Sequence, residues 1–109
     1  GIEIGENMHA PSPILTHLSY KTYDNVYEPS HDSYLLMDAL HSEQTFFHEH
    51  FHEHQPAVVT LEIGPGTAVA TITLHNTLRA AKIPSHCIMV DVNPDASRVA
   101  RETCLVNKV

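Results

Sequence analysis

The sequence predicts an α/β fold built on a parallel sheet. Two short, largely apolar runs, 57–62 and 86–91, each end at an acidic residue, and each is followed by a segment with helical periodicity. A loop with the sequence Gly64-Pro65-Gly66 separates the first run from its helix. Strands that alternate with helices in this order are typical of a doubly wound sheet with right-handed crossovers.

Length and composition set limits on the class of protein. The 109 residues are 42% hydrophobic and carry a formal net charge of −7, which fits one small folded domain and counts against a nucleic-acid-binding surface in this part of the chain. The sequence has no apolar run of the roughly 18 residues that a membrane span needs and no secretory signal at its start. We therefore expect a cytoplasmic or nuclear protein with no membrane contact. Cys87 and Cys104 fit no metal or redox spacing and are predicted to be reduced thiols in the core.

The first residues show no periodicity. Pro11 and Pro13 favour extended backbone, so residues 1–19 are predicted to form a flexible N-terminal arm, and 20–109 the folded portion. One interpretation makes Met8 the native start and Gly1–Asn7 a tag remnant.

An aromatic, turn-rich segment follows at 20–29 and contains Tyr20, Tyr23 and Tyr27. Two interpretations are open. The rings can fold back over the core with their hydroxyls outward, or the segment can form a lid over a ligand.

A helix is predicted at about 31–52. Ser30 or Asp32 can cap its first amides, and apolar residues recur along one face, at Leu36, Leu40, Phe47 and Phe51. Its end, His48-Glu49-His50-Phe51-His52, matches the zinc-protease pattern His-Glu-x-x-His. Because Phe51 continues the apolar face and no clear third ligand follows, we interpret this stretch as a solvated helix end that binds metal at most adventitiously, and no metal site is predicted.

The second half of the chain alternates strands and helices. The strand 57–62 leads through the glycine loop to a helix at about 68–82, and the strand 86–91 leads to a helix that Asn93 caps and that runs to about 107. Both strands are apolar almost throughout, which predicts burial on both faces. Two strands are too few to achieve this, so we expect the front part of a larger α/β domain.

The loop and the two strand ends indicate the ligand. Gly64 and Gly66 permit a tight bend, but Val69 is too large for the last small position of the dinucleotide fingerprint Gly-x-Gly-x-x-Gly. Glu62 would repel a diphosphate and attract an ammonium or sulfonium group, and Asp91 could accept two ribose hydroxyls. S-adenosylmethionine combines these groups and is the predicted ligand. The structural alternatives are a Glu62 carboxylate that caps the next helix and an Asp91 that serves only the turn.

Four motifs resemble one known family. They are Val26–Leu40, with Tyr27-Glu28-Pro29 as its most specific part, Leu61-Glu62-Ile63-Gly64-Pro65-Gly66, Asp91-Val92-Asn93-Pro94, and the helix end Cys104–Val109. From about Pro13 to Val109 the sequence resembles the eukaryotic and archaeal HemK-like protein glutamine methyltransferases. The glycine loop by itself would fit most class I methyltransferases.

The resemblance implies a class I S-adenosylmethionine-dependent, Rossmann-like fold, of which 20–109 would be the N-terminal portion. It implies methyl transfer to the glutamine of the Gly-Gly-Gln motif in a class 1 translation release factor. It also implies a small zinc-binding activator subunit as an obligate partner. By match, Ser33, Glu62, Gly64 and Asp91 would contact the cofactor, with Tyr27 and Gly66 near it.

Two departures from the family pattern matter. Ala68 stands where the family has a third glycine, which we expect to cost little at a helix start and to narrow the pocket floor. The substrate-binding Asn-Pro-Pro-Tyr motif is absent and is expected beyond Val109, so no catalytic residue is predicted in this chain. The alternatives are a class I methyltransferase with a nucleic-acid or small-molecule substrate, and a truncated, non-catalytic chain that binds a partner.

Overall fold

The structure, a computed structural model, describes residues 10–51 and 57–109. Its elements are a 3-10 turn at Thr22–Asp24, helices α1 (His31–Ser42) and α2 (Gln44–His50), strand β1 (Val58–Ile63), helix α3 (Val69–Ala80), strand β2 (Ser85–Val90) and helix α4 (Pro94–Val106). Among the described helices, none combines the length and apolar character that crossing a bilayer requires.

The two strands pair in parallel, as predicted. Their register runs from Val58 opposite Ser85 to Ile63 opposite Val90, and α3 makes the connection between them. All four elements of this β-α-β-α unit lie within about two residues of their predicted bounds. Asn93 caps α4 as expected, because its Oδ1 accepts a hydrogen bond from the Asp95 amide at 3.0 Å.

One face of the sheet carries the core. The strand residues that point to this face alternate with exposed ones, and α3 and α4 cover them. Each helix buries an apolar stripe, as its helical periodicity predicts: Val69, Ile72, Leu78, Ala96, Val99 and Ala100 are buried, and Leu74 is partly buried. Cys104 is also buried, Cys87 is half-buried, and both thiols are free.

The other face of the sheet is open in the described part of the chain. Val59 and Leu61 are each 62% exposed and Ile63 is 80% exposed, with Ile88 and Val90 beside them. The prediction that both strands are buried on both faces is therefore wrong for the described residues, because no described element packs on this side. A contiguous apolar surface of this kind marks an interface rather than a solvent-facing face.

The helix predicted over 31–52 is two helices. The chain leaves helical geometry at Glu43, where φ is −89° and ψ is 6°, and α2 then ends at His50 with Phe51 extended. Phe47 and Phe51 pack against the buried cluster of Leu78, Ala81 and Ile83, as their periodicity indicated. The helical face that would join His48 to His52 ends at His50, and His52 lies outside the described residues.

Residues 10–19 contact helices α3 and α4 at several points, and the prediction of a flexible arm over 1–19 stays a prediction. Ala10 is buried, and the Asn76 side-chain amide donates to the Pro11 carbonyl at 3.0 Å. Asn107 on α4 makes a two-way contact with Ile14, accepting from its amide at 2.7 Å and donating to its carbonyl at 2.9 Å. Residues 1–9, including Met8, lie outside the described residues.

Helices α3 and α4 end in the same motif with a lysine in it. Lys82 and Lys108 have φ values of +61° and +58°, in the left-handed region that favours glycine. In each case the next residue's amide donates back to the helix, Ile83 to the Leu78 carbonyl at 2.8 Å and Val109 to the Cys104 carbonyl at 2.9 Å. These are the hydrogen bonds of a Schellman motif, in which glycine is the usual residue.

We expect Lys82→Gly or Lys108→Gly in the intact protein that carries this chain to raise the free energy of unfolding by about 0.5–1 kcal/mol. Relief of the left-handed conformation gains about 1–2 kcal/mol, and loss of a cation beside the helix C-terminus costs about 0.3–1 kcal/mol. Urea denaturation measures the difference. Lys21→Gly is the control, because Lys21 has φ −66° and should lose stability, and a loss at Lys82 and Lys108 as well would contradict the account.

Candidate functional site

A cavity of about 630 Å³ lies where the two strands end. Three segments line it: the extended stretch before α1, the glycine loop after β1, and the turn after β2. Five of the six predicted site residues line it, and these are Tyr27, Ser33, Gly64, Gly66 and Asp91. The carboxyl end of a parallel sheet is the usual position of a ligand site in an open α/β fold.

The glycine loop is shaped as the sequence predicts. Gly64 and Gly66 have φ values of +71° and +56°, which only glycine adopts without strain. The Gly64 amide donates to the Val90 carbonyl at 2.7 Å and so holds the loop beside the end of β2. A Cβ atom at either glycine would meet nothing within 4 Å, so the backbone of the loop faces open space that a ligand can approach closely.

Ala68, at the next position where the family has glycine, differs from expectation. It has φ 71° and ψ 19° and is fully buried. An alanine in this left-handed conformation costs about 1–2 kcal/mol, so the expectation of a small cost is wrong. The expected narrowing of the pocket floor is also wrong, because the Ala68 methyl packs against Ile72, Ala100 and Cys104 and does not line the cavity.

Asp91 is held in place by the turn that follows it. Its Oδ1 accepts a hydrogen bond from the Asn93 amide at 2.9 Å, and no described residue donates to Oδ2. The Asn93 side chain donates in turn to the Asn25 carbonyl at 2.8 Å, which ties the turn to the segment before α1. Asp91 therefore stabilises the turn through Oδ1, as the structural alternative proposed, while Oδ2 remains available to a ligand.

The segment before α1 forms one wall of the cavity. Val26 is its anchor, buried against Ala96 and Val99 of α4. Tyr27 is 96% exposed and Tyr20 is 78% exposed, so the interpretation with rings folded onto the core is wrong for these two side chains. Ser33 lines the cavity and accepts from the Ser30 amide at 3.1 Å, a bond that fixes the start of α1.

Glu62 is the predicted site residue that the structure does not bring to the cavity. Its Oε1 accepts hydrogen bonds from the Thr71 amide at 3.2 Å and from the Thr71 hydroxyl, both in the first turn of α3. Glu62 lies on the strand face that packs on the helices, so the expectation that Glu62 and Asp91 face one cavity is wrong. The alternative of a helix-capping carboxylate describes what the structure shows.

Glu28 supplies the acid that Glu62 does not. It lines the cavity together with Asp91, and no lysine, arginine or histidine of the described residues does so. Two carboxylates without a cation favour a positively charged ligand and disfavour a diphosphate. The signal for Glu28 was in the sequence, since it is the central residue of Tyr27-Glu28-Pro29. Burial raises the pKa of Tyr23, and the charges of Glu28 and Tyr34 raise this pKa further, so the Tyr23 phenol stays protonated.

We expect Gly64→Leu to weaken binding of a nucleoside ligand by about tenfold or more, because the long side chain would occupy the open space over the loop. Gly64→Ala is the control, since neither residue is branched at Cβ and alanine carries a similar left-handed penalty of about 1–2 kcal/mol with a much smaller side chain. Isothermal titration of both variants with S-adenosylmethionine measures the effect. Equal affinities in the two variants would show that backbone strain, and not access to the loop, governs binding.

The architecture and the site together define a class of protein. A parallel strand pair, a glycine loop after the first strand and an acid after the second form the N-terminal part of a class I methyltransferase fold. No protein-family model matches the chain.

Curated proteins give the closer assignment. The chain is 30% identical over 105 residues to human "Methyltransferase HEMK2" and 28% identical over 99 residues to its mouse counterpart. It is 29% identical over 97 residues to "eRF1 methyltransferase catalytic subunit mtq2" of Schizosaccharomyces pombe. These matches cover 96%, 91% and 89% of this chain but 44%, 42% and 41% of the three relatives. The resemblance to HemK-like methyltransferases is confirmed, and the chain spans less than half the length of the relatives it matches.

Proposed function

We propose that the protein carrying this chain transfers a methyl group from S-adenosylmethionine to the side-chain amide of a glutamine in a class 1 translation release factor, in its Gly-Gly-Gln motif. The observation that carries this proposal is the cavity at the strand ends. It joins the Tyr27-Glu28-Pro29 wall, the glycine loop and Asp91 around one volume of about 630 Å³. The name of the fission yeast relative supports the choice of substrate.

The described residues fit the proposed cofactor. The open space over Gly64 and Gly66 admits a ligand close to the backbone, and the Oδ2 atom of Asp91 is available to ribose hydroxyls. Glu28 and Asp91 give the cavity a negative charge that suits a sulfonium and an ammonium group. When bound, S-adenosylmethionine supplies an electrophilic methyl group.

The part of catalysis that these residues perform is positioning. The wall, the loop and Asp91 would fix the nucleoside so that the methyl group faces the incoming amide nitrogen. The nitrogen would bond to the methyl carbon in line as the carbon–sulfur bond breaks, S-adenosylhomocysteine would leave, and the nitrogen would release one proton to solvent. Holding two reactants in the correct geometry accounts for a large share of the rate in such a transfer. The residues that hold the glutamine amide are proposed to lie in the Asn-Pro-Pro-Tyr motif, which this chain does not contain.

We also propose a partner subunit and a location. The term "catalytic subunit" in the name of the fission yeast relative supports a partner. The resemblance suggests a small zinc-binding activator that covers apolar surface. A release factor acts in translation, so we propose that the methyl transfer takes place in the cytoplasm, or in the nucleus before export.

The experiment is a methyl-transfer assay with the intact protein and its activator subunit. Recombinant release factor and a DNA oligonucleotide are offered side by side with methyl-labelled S-adenosylmethionine. We expect label in the release factor, none in the DNA, and none in a release factor whose Gly-Gly-Gln glutamine is replaced by asparagine. Label in the DNA alone, or label that survives the glutamine replacement, would contradict the proposed substrate.

A further inference from the structure

A second cavity, of about 510 Å³, lies at the amino end of β2 and is rich in cations. Arg79, Lys82 and Lys108 line it, which are three of the six lysines and arginines in a chain of net charge −7. No carboxylate of the described residues lines it, and none of the three cations forms an ion pair within the described part of the chain. This cavity, here termed the basic cleft, is one strand length, about 20 Å, from the cofactor cavity.

The ends of two helices bring these cations to one cleft. Lys82 and Lys108 each follow the last turn of a helix, and the two helix ends meet at the basic cleft. Both lysines adopt the left-handed conformation that glycine would adopt without strain. A simple structural explanation exists, because cations beside helix C-termini offset the negative end of the helix dipole. Arg79 lies in the last turn of α3, so that explanation covers each of the three cations separately, but it does not require that all three line one cleft.

The charge of the basic cleft can be estimated. The three cations contribute +3, and each of the two helix ends contributes roughly half a negative charge, which leaves a net value of about +2. His75 also lines the cleft, and burial, followed by the charge of Arg79, lowers its pKa, so it adds no charge near neutral pH. Ser85 lies beside it, with Oγ 3.1 Å from His75 Nδ1, and provides a polar floor.

We propose that the basic cleft binds a phosphate monoester dianion. A phosphomonoester carries about −1.5 to −2 charges at pH 7, which matches the net charge of the cleft, and lysines are established phosphate-binding side chains. A nucleic-acid backbone fits less well, because its charge is distributed along a chain, the protein as a whole is acidic, and no phenylalanine, tyrosine or tryptophan of the described residues lines the cleft for base stacking. Both a free phosphorylated metabolite and a phosphorylated side chain of a partner protein carry this phosphate monoester group.

The left-handed lysines make a clean test possible. Lys82→Gly/Lys108→Gly should remove two of the three cations without unfolding the protein, because glycine suits both backbone positions. Lys21→Gln/Arg98→Gln removes the same charge at exposed sites outside the cleft and serves as the matched control.

Binding is measured on the intact protein by isothermal titration at constant ionic strength, with inorganic phosphate and with a phosphoserine peptide as probes. We expect the glycine double variant to bind at least about tenfold more weakly than wild type and the control to stay within about twofold. Tighter binding of the peptide than of phosphate would support a protein source, and equal binding a small molecule. The proposal is overturned if wild type binds neither probe, if both double variants weaken equally, or if an RNA oligonucleotide binds more tightly than either probe. Because the cofactor cavity is separate, titration with S-adenosylmethionine stays unchanged in either case.

Discussion

Replacing Asp91 by alanine in the intact protein is expected to weaken S-adenosylmethionine binding by at least about 100-fold. The carboxylate is held by the Asn93 amide, and its second oxygen is available at the cavity for ribose hydroxyls. Each hydrogen bond to a charged group contributes about 1.5–3 kcal/mol, so the loss of two amounts to two or more powers of ten in affinity. Isothermal titration against wild type gives the ratio.

The Asp91→Asn variant tests the negative charge of Asp91 separately from its role in the turn. An asparagine can still accept from the Asn93 amide and keep the turn, but it lacks the negative charge, so we expect an affinity between those of wild type and Asp91→Ala. A change of less than about threefold in both variants, with stability retained, would mean that Asp91 serves only the turn.

Replacing Leu61 by aspartate in the intact protein is expected to cost about 4 kcal/mol or more of stability, or to abolish soluble expression. Leu61 lies in the middle of the open sheet face, opposite Ile88 and between Val59 and Ile63. In a doubly wound sheet helices pack on both faces, so the rest of the domain should bury this position. A carboxylate buried there without a partner carries a large desolvation penalty.

Leu105→Asp is the matched control for this prediction. Leu105 on α4 is 66% exposed, close to the 62% of Leu61, but it does not lie on the sheet. Leu105 lies in the last turn of α4, so an aspartate there is expected to cost about 1 kcal/mol, from the helix dipole and from its low helix propensity, which is far less than the cost expected at Leu61. If chemical denaturation shows Leu61→Asp to be as mild as Leu105→Asp, the open face is not covered in the intact protein.

The β-α-β-α unit was predictable because several local signals agree. Apolar runs, the Gly64 and Gly66 bend and the Asn93 cap all indicate the same boundaries. The buried stripes of α3 and α4 followed from helical periodicity alone. The break at Glu43 could not be predicted in this way. The apolar spacing over 31–52 indicated one continuous helix against the core, but α1 has no buried residue.

The orientation of Glu62 could not be predicted for a physical reason. In a strand, successive side chains point to opposite faces, but β1 is apolar on both and so gives no sign of which face the glutamate shares. The structure places it with Val58 and Thr60 on the helix-facing side, where Thr71 binds it. The acid at the cavity comes instead from Glu28, which lies more than thirty positions earlier and which only the fold brings to the loop.

The exposed tyrosines are a similar case. Aromatic rings usually bury apolar area, which favoured rings folded onto the core. Val26 takes the buried position in this segment, and Tyr27 stands at the edge of the cavity instead. The small aliphatic side chain fits between Ala96 and Val99, where a larger ring would displace α4.

The most direct measurement is a crystal structure of the intact protein with S-adenosylhomocysteine. We predict that the ribose hydroxyls lie within hydrogen-bonding distance of Asp91 and that the nucleoside passes over the backbone of Gly64 and Gly66, beside the Tyr27–Ser33 wall. Density for the nucleoside at another edge of the sheet, or a ribose turned away from Asp91, would contradict the assignment of this cavity as the cofactor site.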